Sequence, residues 1–530
     1  MESPSEQIRR SATGRAHLIG ASGTGMRSLA RLLSDEGWHV TGSDLSPTGL
    51  ATGIRSGHSP SYVPHDVDLV VASDAVPAEN CERQRAAELG VPPISYAEML
   101  GRLTTDRFTL AVAGSHGKST TSAMVTHILE HAGLQPAAVF GAEATAAESH
   151  KSATGWRGRS LGDGPEMQPS GLSPRLLPRH PSCKTPSPAS EASGFAGREL
   201  AVGAARPLIV EACEYRRNFL HLRADITVIT GIEHDHFDCY PTSDSSQEAF
   251  AHFVQNTDPS GLLLACGDCP ATLAATSQVA CRRQTFGFSA SCDWRITEAN
   301  SQGGYYSAQI EFRSRPFGKF RLQVPGRHNL KNALAAAALA GSLGVRPNDI
   351  VEALSRFRGV RRRLQRVGNY RGVLLFDDYA HHPTEVTASL SALREIVPDR
   401  RIWCVFQPHQ VSRTARLLEP FAEALCFADK VFVARIFRVR EGPVISTEIT
   451  SADLERRIVE IGGHVGHGFE SGSQNEEAEH GADVIFEAIS RGELTSGDLV
   501  VTMGAGDIGK VIDGVSQRIR KNRTASATAG

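Results

Sequence analysis

The sequence predicts an α/β protein in which parallel strands alternate with helices through three successive blocks. Three observations carry that prediction. Short apolar runs recur between amphipathic helical stretches along the chain. Two Gly-rich turns, at 20–26 and 114–120, each follow an apolar run and lead into a helix. The 530 residues are 40% hydrophobic and 22% charged, enough to fill several cores at roughly 100–200 residues per domain.

The first block opens with an apolar strand at 16–20 and the turn at 20–26. The next helix carries Met26, Leu29, Leu32 and Leu33 on one face, and Gly37 is placed to end it, because glycine accepts the left-handed conformation of a helix C′ residue. Strands at 39–44 and 68–72 follow. The second block starts with a strand at 108–113 and passes through the turn at 114–120. A helix with Met124, Val125, Ile128 and Leu129 follows and closes at Gly133. Strands at 207–210 and 226–230 and an alanine-rich helix beginning near Asn332 belong to the same block. From about 145 to 197 the periodicity stops. Ser, Pro and Gly dominate there, and too little apolar surface is available to offset ordering entropy, which predicts a disordered surface insertion. The third block predicts strands at 373–377, 402–406, 431–434 and 499–503 and helices at 384–396 and 414–425, again a doubly wound pattern.

Composition narrows the function. A formal net charge of -2 argues against a nucleic-acid partner, whose footprint is a basic face. No stretch reaches the roughly 18 apolar residues of a membrane span. The polar first 16 residues lack the apolar run of a secretory signal, and the ten scattered cysteines fit reduced thiols. Together these predict a cytoplasmic protein.

The loop at 114–120 reads G-S-H-G-K-S-T. Backbone N–H groups at such a strand–helix junction cradle phosphates, and the helix dipole favours their charge. Lys118 is placed for the β- and γ-phosphates and Ser119 or Thr120 for Mg²⁺. The spacing departs from G-x-x-x-x-G-K, with Val112 where the first glycine would stand. Glu211 and Glu214 follow one predicted strand, and Glu233, His234, Asp235, His236 and Asp238 follow another. Both groups lie past the C-terminal ends of strands, where α/β sheets place ligands, and carboxylates suit Mg²⁺. A solvated polar loop is the alternative. The turn at 20–26 has the order G-x-x-G-x-G, not the dinucleotide order G-x-G-x-x-G. With Asp44 after the second strand it reads as a diphosphate-binding turn. Cys266 and Cys269 form a C-x-x-C with no second pair, which a strand and a Gly-Asp turn explain. The segment G-R-H-N-L-K-N at 326–332 reads as a helix cap or as a source of amides for a nucleotide base.

Taken in order, several motifs resemble the Mur ligase family over nearly the whole chain except the insertion and the ends. They are the turn at 20–26, the loop at 114–120, Glu211 in E-A-C-E, I-E-H-D-H-F-D at 232–238 and G-R-H-N-L-K-N at 326–332. Further on come Arg362-Arg363, D-D-Y-A-H-H-P-T-E at 377–385, Q-P-H at 407–409 and G-A-G-D-I-G-K at 504–510. The resemblance implies a Rossmann-like UDP-sugar domain at 1–105 and a central ATP-binding domain with a P-loop ATPase-type parallel sheet at 106–358. A C-terminal Rossmann-like domain at 359–530 completes it. It implies an ATP- and Mg²⁺-dependent carbon–nitrogen ligase of peptidoglycan precursor synthesis, joining L-alanine to UDP-N-acetylmuramic acid, with no nucleic-acid or membrane partner. A recycling ligase that attaches a peptide, and a nucleotide-binding regulatory protein that has lost ligation, are the alternatives.

The resemblance also carries roles. Lys118, Glu211, His236, Arg363 and His382 are expected to be catalytic, with Ser119, Glu211 and His236 at the metal. Gly114, Ser115, His116, Gly117, Lys118, Ser119, Thr120, Asn329, Asn332 and Asp378 are expected around ATP. Gly23, Thr24, Gly25, Met26, Asp44, Ser73, His382 and Arg413 are expected around the UDP-sugar and the amino acid. The chain departs from the family pattern at Ser22, usually glycine, at Cys213 and Arg435, each usually aspartate, and at Gln410 and Val411, usually Arg and Tyr.

Overall fold

The computed structural model describes residues 14–45, 53–141, 206–438, 449–467 and 474–528, so the predicted insertion at 145–197 lies outside the described residues. Three sheets organise the chain. The N-terminal sheet contains β1 (Arg15–Ile19), β2 (His39–Asp44), β3 (Ile54–Ser56), β4 (Leu69–Ala72) and β5 (Ile94–Ser95), in the order β3-β2-β1-β4-β5. All its pairings are parallel, with Ala16 opposite both Val40 and Leu69. β1 therefore lies where the strand order reverses, and the first Gly-rich turn leaves its C-terminal end at the crevice that open α/β sheets use for ligands. Helix α1 (Thr24–Asp35) follows the turn and buries Met26, Leu29, Leu32 and Leu33 as predicted, and Gly37, at φ +91°, ends it. Helix α2 (Cys81–Glu88) is N-capped by Asn80.

The central sheet has nine strands: β6 (Thr109–Ala113), β7 (Ala137–Val139), β8 (Leu208–Glu211), β9 (Ala224–Ile229), β10 (Thr257–Cys266), β11 (Arg282–Gly287), β12 (Trp294–Gln302), β13 (Tyr305–Phe312) and β14 (Arg315–Pro325). Their order is β14-β13-β12-β11-β10-β9-β6-β8-β7. β6 lies between β8 and β9, so the second Gly-rich loop also starts at a switch point. Helix α3 (Lys118–His131) packs against α4 (Arg327–Ser342), whose alanines and leucines from Ala333 to Ala340 are all fully buried. The C-terminal sheet has β15 (Gln365–Tyr370), β16 (Val373–Asp378), β17 (Ile402–Phe406), β18 (Lys430–Val433) and β19 (Leu499–Met503), in the order β15-β16-β19-β17-β18. Helix α5 (Pro383–Ile396) follows β16.

Four expectations change. The central sheet is mixed, not parallel throughout: β12, β13 and β14 pair antiparallel and add an arm to the parallel strands. The C-terminal sheet likewise carries an antiparallel edge, β15 against β16. α4 begins at Arg327, not near Asn332, because Asn329 and Asn332 turn inward with Leu330 while Arg327 stays exposed. The helix expected at 414–425 is two helices, Val411–Arg416 and Leu418–Leu425, meeting at Leu417, where φ -112° and ψ 22° break the helical path. Among the described residues no helix is long and apolar enough to cross a membrane.

Candidate functional site

The site is built around the loop after β6, a strand buried at all five positions. Two glycines make its path possible. Gly114 has φ +130°, and a Cβ there would lie 2.2 Å from Thr230 Oγ1. Gly117 has φ +81°, and a Cβ there would lie 2.3 Å from Asn332 Oδ1. Gly117 caps α3 with no side-chain hydrogen bond, so the first-turn N–H groups face the loop's hollow, the setting that favours an anion.

Lys118 folds back into this hollow. Its Nζ donates to Gly114 O at 2.6 Å, Ser115 O at 3.1 Å and Glu214 Oε1 at 3.0 Å. Glu214 is buried and also meets His236 Nε2 at 3.4 Å. Burial alone would raise the Glu214 carboxyl, but Lys118 and His236 outweigh it and hold it at about 2. Lys118 in turn would be pushed down by burial, yet Glu214 draws it above its ordinary value. The ammonium–carboxylate pair is therefore ionised at neutral pH. Ser119 Oγ donates to Glu211 Oε1 at 2.9 Å, and Glu211 Oε2 accepts from Gly141 N at 2.8 Å. A hydroxyl and a carboxylate meeting beside the loop form an oxygen donor set of the kind Mg²⁺ takes. His236 joins Glu214 and not this pair. Its left-handed backbone, φ +54°, accompanies a ring turned edge-on to Tyr215 at 5.2 Å.

Beside the loop lies a cavity of about 280 Å³, bounded on one side by α4 and on the other by the C-terminal sheet and α5. Asn329, Asn332, Arg363, Asp378, Lys331 and Phe286 are among its walls. Asn329 Nδ2 donates to Pro325 O at 2.8 Å, and Asn332 Nδ2 donates to Asn329 Oδ1 at 3.1 Å, which sets both amides at the head of α4. The Arg363 guanidinium stacks over Tyr379 at 4.9 Å. Asp378 accepts a hydrogen bond from Ser389, but burial dominates and pushes its carboxyl up to about 6.

Contacts between the central and C-terminal parts close the site. His116, in the loop, lies between Glu233 of the central part, at 2.9 Å from Nε2, and Glu385 of α5, at 3.1 Å from Nδ1. Thr384 Oγ1 donates to Glu233 Oε1 at 2.6 Å, and the His382 ring lies 5.1 Å from that of His116. Arg413 Nε and Nη2 donate to Asp235 Oδ1 at 3.0 and 2.7 Å, and Nη1 lies 3.1 Å from His409 Nδ1. Burial would lower the His116 imidazolium, yet Glu385 and Glu233 outweigh it and raise its pKa from 6.5 to about 10. A raised pKa means that this contact contributes fully below about pH 6.5 and is lost as pH rises through about 10. Small-angle scattering from pH 6 to beyond about 10 is expected to show progressive opening over that window, and His116→Phe to remove the transition. A His116→Phe protein with the same pH profile as wild type would sink this assignment.

The N-terminal turn is held from below. Ser43 O accepts from Gly20 N at 2.9 Å and Ala21 N at 3.0 Å, and Asp44 Oδ2 accepts from Ser22 N at 2.9 Å. Ser73 packs behind Gly20, where a Cβ would lie 2.9 Å from its own Cβ. Gly23 caps α1 without a side-chain bond, ahead of Thr24 and Gly25, and Met26 is buried. A Cβ on Gly25 would lie 2.8 Å from the Tyr96 hydroxyl.

The sequence-predicted residues thus fall into four places. The loop residues gather with Glu211 and His236, Asn329, Asn332, Arg363 and Asp378 line the cavity, and Gly23, Thr24, Gly25, Asp44 and Ser73 lie at the separate N-terminal turn. His382 and Arg413 stand at the closure between central and C-terminal parts. Sequence reasoning missed Glu385, and it named Glu214, Glu233 and Asp235 only as an acidic cluster. Position on the first turn of a helix, three residues after the His381-His382 pair, was the signal for Glu385.

Residues 15–108 match the domain described as "Mur ligase family, catalytic domain", 199–340 the "Mur ligase middle domain" and 362–506 the "Mur ligase, glutamate ligase domain". The UDP-N-acetylmuramate–L-alanine ligase of Alkaliphilus metalliredigens is 32% identical over 505 residues, 93% of this chain and 95% of that protein. That of Solibacter usitatus is 33% identical over 511 residues, 95% of each. The crystal structure of UDP-N-acetylmuramate-alanine ligase from Thermotoga maritima superposes with a TM-score of 0.69 at 23% identity, covering 97% of this chain and 99% of that one. A murein peptide ligase from Psychrobacter arcticus gives 0.62 at 22% identity, covering 95% and 98%. The Thermotoga maritima MurF ligase, solved in complex with ADP, gives 0.52 at 14% identity, covering 97% of each chain. The structures share the fold, and the curated relatives share sequence over 93% and 95% of the chain; the chain belongs to the Mur ligase family.

Proposed function

We propose that the protein joins L-alanine to the lactyl carboxylate of UDP-N-acetylmuramic acid with consumption of ATP, in the cytoplasmic synthesis of peptidoglycan precursors. The observation that carries this reading is the meeting of Lys118, Glu214, Ser119 and Glu211 at a phosphate loop whose neighbouring cavity is closed by α5. The curated relatives are named for this activity, so the peptide-attaching and regulatory alternatives are not favoured. Three working units, 1–105 for the UDP-sugar, 106–358 for ATP and 359–530 for closure, belong to the proposal.

A carboxylate and an amine do not condense unaided in water. Transfer of the terminal phosphoryl group to the lactyl carboxylate gives an acyl phosphate, and the neutral α-amine of alanine then attacks its carbonyl and expels phosphate. Both steps gather negative charge on oxygen. Lys118 and Arg363 supply fixed positive charge against it, and the N–H groups of 114–120 supply preorganised donors. Ser119 and Glu211 would hold Mg²⁺, which offsets phosphate charge. Asn329 and Asn332 offer their amides to the base, and the turn at 20–26 takes the diphosphate of the UDP-sugar. His382 Nδ1 accepts from Thr384 N at 3.4 Å, so its proton sits on Nε2, a buried atom with no partner among the described residues. Nε2 is therefore available as a hydrogen-bond donor and is not the base that takes the amine proton.

The decisive assay is phosphate release with ATP, Mg²⁺ and UDP-N-acetylmuramic acid, with and without L-alanine. Release that needs both acceptor and L-alanine is expected. Release with a tripeptide but not with L-alanine would replace the reading by the peptide-attaching one.

A further inference from the structure

Beneath the N-terminal turn lies a titratable cluster that the ligation chemistry does not use. Glu82, on α2, and His17, on β1, are both fully buried, and His17 Nε2 meets Glu82 Oε2 at 3.0 Å. Ser43 Oγ donates to the same oxygen at 2.6 Å, and Ser59 N donates to Oε1 at 2.9 Å. Burial would raise the Glu82 carboxyl, but His17, Ser43 and Ser59 outweigh it and hold it below its ordinary value, so it is a buried anion. A fully buried carboxylate is costly unless it is paired and hydrogen-bonded, and the groups that satisfy Glu82 are held in fixed positions by it.

What it orders follows from counting protons. Ser43 has a single hydroxyl proton and gives it to Glu82. The 3.0 Å contact between Ser43 Oγ and His58 Nδ1 must then use a proton of the ring, and Nδ1 also faces Glu82 Oε1 at 3.4 Å. His58 is thereby fixed with its proton on Nδ1. Nε2 has no partner among the described residues, and the side chain is 14% exposed. His58 follows Gly57, whose N–H donates to Asp44 O at 2.8 Å, and Asp44 is the residue that grips the turn through Ser22.

We propose that Glu82 is a positioning residue for the UDP-sugar, which through Ser43 locks His58 beside the Gly-rich turn with Nε2 open to the ligand. The inference rests on the reading of that turn as the UDP-sugar site. Glu82→Gln and His58→Ala are each expected to raise KM for UDP-N-acetylmuramic acid about tenfold, the worth of one positioned hydrogen bond. kcat and KM for ATP should stay within about twofold of wild type, because the cluster touches neither the loop nor the cavity. The combined variant should lose nothing further, and ¹⁵N shifts of the ring should report the Nδ1–H form in wild type and its loss in Glu82→Gln. Additive losses, an unchanged KM, or a fall of kcat and every KM together with the melting temperature would overturn the proposal. Should Glu82→Gln not fold, His58→Ala and the wild-type ring shifts decide it, and an Nε2–H ring in wild type sinks it. Calorimetry of wild type with UDP-N-acetylmuramic acid separates the two levels: no binding sinks the site reading as well, whereas binding with unaffected variants sinks only the role of Glu82.

Discussion

Lys118→Ala is expected to lower the rate of phosphate release by about 10²–10³ or more, the usual cost of losing one preorganised charge at a phosphoryl or acyl transition state. The expected loss is large because no neighbour can substitute. The Lys118 ammonium lies within the loop's own carbonyls, and the adjacent side chains, Glu211, Glu214 and Ser119, bring no positive charge. The substitution should also cost stability. Glu214, only 4% exposed at its side chain, would lose its ammonium partner and keep only the 3.4 Å contact with His236 Nε2, and breaking a buried pair typically costs about 3–5 kcal/mol. Thermal melts alongside kinetics separate the effects. Adding Glu214→Gln to Lys118→Ala should recover much of the melting temperature and none of the rate. A near-normal rate in Lys118→Ala would remove the phosphate assignment altogether.

Arg413→Ala should act on closure more than on folding. Arg413 and Asp235 are 2% and 6% exposed at their side chains, and Asp235 stays ionised because His236 and Arg413 outweigh its burial. Truncating the arginine removes two donors from that buried carboxylate, about 3–5 kcal/mol, or roughly 10²-fold or more in an equilibrium. The chain can escape this cost by parting the C-terminal sheet from the central one, which rehydrates Asp235. The expected result is an expanded particle in small-angle scattering, a higher KM for L-alanine and a lower kcat, with the melting transition of the central part little changed. An unaltered scattering profile and unaltered kinetics would show that the pair does not govern closure.

The parallel strands were legible because strands buried on both faces write themselves as continuous apolar runs; 402–406 and 499–503 are observed at the expected bounds. The arm of β12, β13 and β14 was not read, although Gly303-Gly304 between two alternating runs is a hairpin signal. One face of those strands is polar, and the apolar residues are too spaced to stand out as runs. The gathering of Lys118 and Ser119 at one strand–helix loop was legible from their spacing, since such a loop is a local structure. The pairs that close the site were not. His116 meets Glu385 across 269 positions and Arg413 meets Asp235 across 178, and nothing local in either segment specifies its partner. The split near Leu417 was hidden for the opposite reason: its apolar face continues across the break, so periodicity alone reads one helix.

The antiparallel arm has a mechanical consequence. Near the C-terminal end of α5, Glu395 accepts hydrogen bonds from Ser301 of β12, at 2.8 Å, and Tyr306 of β13, at 2.7 Å. Near the other end, Glu385 touches His116. The helix is thus a lever whose fulcrum is on the arm and whose tip is in the cavity. Glu385 and Glu395 are ten residues apart, about 15 Å along the axis at roughly 1.5 Å per residue. Tilting about the fulcrum by about 15° carries the tip about 4 Å, enough to part Glu385 from His116 while the arm keeps its grip. A rigid rod of this kind turns the size of whatever fills the cavity into an angle.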